Sequence, residues 1–88
     1  MNKDINDLST DELYKLIGRN VAILRKKANM SQLDLSLEIG NKSTSLISSA
    51  ELYKNNRKFN ISQLQKIAKI LDVDICEFFK LPSKNQQD

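Results

Sequence analysis

The chain has 88 residues, a one-domain length able to bury a single modest core. One cysteine and no histidine exclude an intramolecular disulfide and a zinc site and fit a reducing compartment. The start from Met1 to Leu8 is acidic and polar where a secretory signal is basic and then apolar, and no apolar run nears the roughly 20 residues that cross a bilayer, so a soluble, cytoplasmic chain is expected.

The net charge of +3 is unevenly spread. Between Lys15 and Lys58 the cations Lys15, Arg19, Arg25, Lys26, Lys27, Lys42, Lys54, Arg57 and Lys58 face only Asp34, Glu38 and Glu51. A segment so cationic suits a polyanion, although lysines also simply solvate helix faces.

Five helices are predicted. Leu13, Ile17, Val21, Leu24 and Ala28 recur at helical spacing and share one face, so the first helix is expected over about Thr10 to Ala28. Ser9 with Glu12 forms a capping box at its start, and Leu8 with Leu13 a hydrophobic staple. The same order of residue types returns at Met30, Ser31, Asp34 and Leu35 for a short second helix ending near Ile39. Gly40, free to take a positive φ, turns the chain there.

The third helix, about Thr44 to Glu51, breaks the pattern. Ser43 stands ready to cap it, but Lys42 and Leu46 occupy the staple and capping-acid positions, so its amino end keeps unpaired backbone donors and partial positive charge available to an anion such as phosphate. Phe59, Asn60, Gln63 and Leu64 open a fourth helix expected to bury Ile61, Leu64, Ile67, Ala68 and Leu71. Val73, Asp74, Glu77 and Phe78 open a short fifth, offering Ile75, Phe78 and Phe79 before Pro82 ends it. Cys76, amid apolar neighbours, reads as a half-buried thiol. The expected organisation is a flexible segment over 1–8, one domain over 9–81, and a disordered polar tail over 82–88.

From Ile17 to Phe79 the chain resembles the phage-repressor and Cro type of helix-turn-helix proteins, the XRE family. The resemblance is carried by Leu24 and Arg25, Ser31 and Gln32, Leu35, Ser36, Ile39 and Gly40, Ile47 and Glu51, and the run from Ile67 to Val73. It implies an all-α fold, a compact five-helix bundle of the lambda-repressor-like kind. It also implies an internal ion pair between Arg25 and Glu51, and a phosphate contact from Gln32. By the same resemblance the third helix is the recognition helix, entering the major groove of double-stranded DNA. Lys42, Ser43, Thr44, Ser45, Leu46, Ser48 and Ser49 would then face DNA, with Ile47 and Ala50 turned inward and Leu46 open to either reading.

That face holds small hydroxyls and one leucine, with neither the arginine nor the glutamine that reads bases in bidentate fashion, so preference would draw on groove shape and on Lys42. Compared with the family pattern, the turn before the third helix is one residue longer and the segment after Glu51 about four longer. This insert, Leu52 to Asn60, carries Lys54, Asn55, Asn56, Arg57 and Lys58, in a region that in the family approaches the DNA backbone. Leu33 and Leu37 stand where the family places polar residues, and should pack on Tyr53 or on a partner.

The function implied is a DNA-binding transcriptional regulator, a repressor working as a homodimer, with no cofactor and no metal. The competing reading is a helix-turn-helix scaffold that grips a protein, of the antitoxin or anti-regulator kind, with Leu33, Leu37, Phe78 and Phe79 as partner surfaces. An enzyme is not expected: there is no histidine or Gly-rich phosphate loop, and Asp72, Asp74 and Glu77 read as capping residues.

Overall fold

A computed structural model of the chain describes residues 4–82. The tail expected over 82–88 lies outside them from Ser83 onward. Four α-helices, α1 (Thr10–Lys27), α2 (Gln32–Glu38), α3 (Ser45–Glu51) and α4 (Ile61–Leu71), are accompanied by 3-10 turns at Ile5–Asp7 before α1, Lys54–Asn56 between α3 and α4, and Ile75–Phe79 after α4, with no strand among the described residues. The all-α class holds, but the helices number four.

The stretch expected as a fifth helix is the 3-10 turn Ile75–Phe79. Phe78 is fully buried, and the buried amide of Asn20 donates to the carbonyls of Phe78 (2.8 Å) and Lys80 (2.9 Å). Those two acceptors are thereby committed to α1, and Pro82 follows within three residues. Phe78 is therefore core and not a partner surface.

Each of α1, α2 and α4 begins with a reciprocal capping box, Ser9 with Glu12, Ser31 with Asp34 and Asn60 with Gln63. Their carboxyl ends share a second device. A residue with positive φ, Asn29, Gly40 or Asp72, is followed by an amide that reaches back over five residues: Met30 to Arg25 (3.1 Å), Asn41 to Ser36 (2.8 Å) and Val73 to Ala68 (3.0 Å). These Schellman closures satisfy carbonyls that would otherwise be orphaned. Only Gly40 among the three lacks a Cβ, and its φ of 92° is the one that demands it.

The core gathers Val21 of α1, Leu35 of α2, Ile47 of α3, Leu64 and Ile67 of α4, and Phe78. Ile61, expected inside, is 63% exposed, because the first position of α4 faces away from this cluster. Cys76 is likewise exposed and not half-buried: Asp74 caps the turn by accepting from its amide (2.9 Å), and Phe78 two residues on takes the inward place.

Gly18 is buried in the middle of α1, where α3 crosses closest: a Cβ here would stand 2.4 Å from the carbonyl oxygen of Ala50 and 2.7 Å from that of Glu51. Ser36 is fully buried in α2, and its hydroxyl has no hydrogen-bond partner among the described residues. A buried hydroxyl left unpaired costs about 1 to 3 kcal/mol. Ser36→Ala is accordingly expected to raise stability by about 1 kcal/mol; a lower chemical-denaturation midpoint in the variant would contradict this.

Candidate nucleic-acid interface

The position of α3 is set by a charged knot. Arg25, at the end of α1, donates through Nε (2.7 Å) and Nη2 (3.1 Å) to the carboxylate of Glu51, the last residue of α3. A third guanidinium nitrogen, Nη1, reaches the carbonyl of Met30 in the linker to α2 (2.8 Å). The amide of Gln32, first residue of α2, donates to the same carboxylate (3.0 Å). Side-chain exposures of 7% and 3% for Arg25 and Glu51 make this a buried pair. One carboxylate thus ties three helices to each other, and Gln32 is engaged inside the domain through one N–H while staying half-buried at the helix start.

With α3 so fixed, its amino end meets solvent. Thr44 stands at the cap position with no side-chain bond to the helix. The expected cap Ser43 makes a long contact, accepting from the Ser45 amide at 3.4 Å, and shares a hydrogen bond between hydroxyls with Ser45 (3.0 Å). Lys42, Ser43 and Ser45 are exposed; Thr44, Ser48 and Ser49 are half-buried. Leu46 is half-buried and packs against the core. Ile47 and Ala50 are buried.

A shallow groove runs beside this end, lined by Asn41, Lys42, Ser43, Ser45, Leu46, Arg57 and Gln63. It brings the turn before α3, the insert and the first turn of α4 together. Gln63, expected only as a capping residue, and Asn41, expected only in the turn after α2, were not foreseen at this interface. The signal for Gln63 was present in its capping box, whose amide oxygen accepts from the Asn60 amide (2.9 Å).

Of the insert only Arg57 lines this groove. Tyr53 takes a left-handed conformation (φ 53°), stacks on Tyr14 of α1 with ring centroids 5.5 Å apart, and donates its hydroxyl to Asp11 (2.8 Å). The Lys58 ammonium lies over the Tyr14 ring, 5.0 Å from its centre. Asn55 and Asn56 are also left-handed, which asparagine tolerates better than most residues, and stand exposed with Lys54 at the tip. Leu33 and Leu37, for which Tyr53 was one expected partner, remain 48% and 57% exposed because Tyr53 is held on α1.

The Tyr53 phenol is raised above its ordinary value, first by the hydrogen bond to Asp11 and then by burial and that carboxylate's charge. A raised folded pKa means that the contact stabilises fully below about pH 10, the unfolded value, and is lost as the pH climbs through the folded one. Ultraviolet titration of tyrosinate should show one late-ionising phenol whose midpoint falls in Asp11→Asn. An unmoved midpoint would refute the anchor.

Two short helices, α2 and α3, with a glycine-containing turn between them, hydroxyls on the second and an exposed Lys42 in the turn before it, define a helix-turn-helix module. The helix-turn-helix family matches residues 21–78, well over half of the chain, and the protein belongs to that family, the phage-repressor and Cro type of DNA-binding regulators. No curated protein matches the chain. Among the described residues no helix is long and apolar enough to cross a membrane.

Proposed function

We propose that the protein is a sequence-specific, double-stranded DNA-binding transcriptional regulator of the cytoplasm that lays α3 in the major groove and represses by occupying its site. The observation that carries this reading is the groove at the amino end of α3, where Lys42 and Arg57 flank the exposed hydroxyls of Ser43 and Ser45. Serine hydroxyls donate to or accept from base edges, and flanking cations neutralise phosphates. Ser48, Ser49 and Thr44 extend the polar face. Leu46, leaning on the core, contributes at most an edge to a thymine methyl. Lys54, Asn55, Asn56, Arg57 and Lys58 of the insert, with the remaining amide hydrogen of Gln32, contact the backbone on either side. A homodimer on paired half-sites is part of the reading, since one short helix reads few base pairs.

DNA affinity measured against salt tests it. About six phosphate contacts predict a log-log slope near −5. Lys42→Ala and Arg57→Ala should each lower the affinity for all sequences and, by removing one contact from each chain of the dimer, shorten that slope by about 2. Ser45→Ala should instead relax preference at one base position. Undetectable or salt-independent binding to any duplex from a selected pool would refute the reading and favour a protein-gripping scaffold, for which the uncovered Leu33 and Leu37 are the specific observation.

A further inference from the structure

Three leucines stand outside the core with no role in the groove beside α3: Leu33 and Leu37 of α2, and Leu52, 74% exposed just past α3. They fall on two separate surfaces. Leu33 and Leu37 are one turn apart on α2, and the exposed acids Asp34 and Glu38 run beside them at the same spacing. The second surface is a groove between α1 and the end of α3. Its apolar lining is Ala22, Ile23 and Leu52; Glu51, already paired with Arg25, also lines it, and it is bordered by Lys15, Arg19 and Lys26. One patch is a leucine stripe edged with acids, the other an apolar trough edged with cations.

We propose that the α2 stripe of one copy seats in the α1–α3 groove of the next. Charge and apolar area match on both sides of this contact. The stripe is short enough for the groove: seven residues of α2 extend about 10 Å, and the groove runs about 16 Å along α1 from Lys15 to Lys26. Within one chain the stripe is not available to its own groove, because α2 packs on α3 and α4. DNA does not suit the stripe, since phosphate is repelled by Asp34 and Glu38. Because two different patches meet, the contact is head-to-tail, and a pair joined by one such contact leaves one stripe and one groove open to further copies. It stands independently of the DNA reading.

Sedimentation of the purified chain without DNA tests it. The average mass should rise with concentration past two chains and fall with added salt. Lys15→Glu with Lys26→Glu disables the groove; Leu37→Ser with Glu38→Lys disables the stripe and spares Asp34, which caps α2. All four positions are exposed, so both variants should melt as the parent does. Each alone should associate at least about 10-fold more weakly, while an equal mixture should recover a pair of chains, its intact groove and intact stripe lying on different partners. A parent that stays monomeric, a mass that levels at two chains and is moved by neither variant, or a mixture no tighter than its components would overturn the proposal.

Discussion

Glu51→Ala should unfold at a temperature lower by more than about 12 °C. Breaking a buried pair by removing one partner costs about 3 to 5 kcal/mol, because the remaining charge is stranded away from water. In a domain of this size each kcal/mol moves the midpoint by about 4 to 8 °C. Here the stranded group is Arg25, whose side chain is 7% exposed and keeps only the carbonyl of Met30 as acceptor, while Gln32 loses its acceptor as well. Replacing both partners, Arg25→Met with Glu51→Leu, should recover much of the loss, since an apolar pair of similar volume is often neutral or better. An unchanged melting temperature in Glu51→Ala would show that the carboxylate holds nothing.

Gly18→Ala is the second large effect expected, and its sign runs against helix propensity. Exchanging glycine for alanine inside a helix ordinarily gains about 1 kcal/mol. At this site the added methyl would meet the carbonyl oxygens of Ala50 and Glu51 at 2.4 and 2.7 Å, and these are backbone atoms that move only if α3 moves. Overpacking typically costs about 1 to 3 kcal/mol, and a clash with backbone belongs at the upper end. A net loss of about 2 kcal/mol is expected, with Gly18→Val worse. Because α3 carries Ser45 at its other end, DNA affinity should fall together with the melting temperature. A variant as stable as the parent would show that α1 and α3 do not approach so closely.

What could be read from the residues, and what could not, divides by distance along the chain. The capping boxes at Ser9, Ser31 and Asn60 were legible because both members lie within one turn, and each is present with both reciprocal bonds. The turn at Gly40 was legible for the same reason. Features that depend on where remote backbone falls were not. Gly18 looks like any helical glycine until the carbonyls of α3 arrive, and Asn20 like a surface amide until it clamps carbonyls 58 and 60 residues away. Tyr53 was paired with the wrong helix, since its partners Tyr14 and Asp11 lie about 40 residues back. A fifth helix was expected because capping residues and apolar spacing recur near Val73, but these signals do not distinguish an α-helix from a single 3-10 turn pulled inward by one phenylalanine. In the candidate site, the hydroxyl face of α3 was legible, whereas the meeting of Arg57 and Gln63 with Lys42 required the insert to fold.

The hydrogen bond from Gln32 to Glu51 gives that residue two employers. One amide hydrogen is occupied in bracing α3; on the function proposed above, the other meets a phosphate. Substituting Gln32 therefore perturbs folding and operator affinity at once, and a drop in binding for such a variant overstates its direct contact by whatever fraction of molecules has come loose. Only at temperatures well under its own melting point does the residue report on recognition alone.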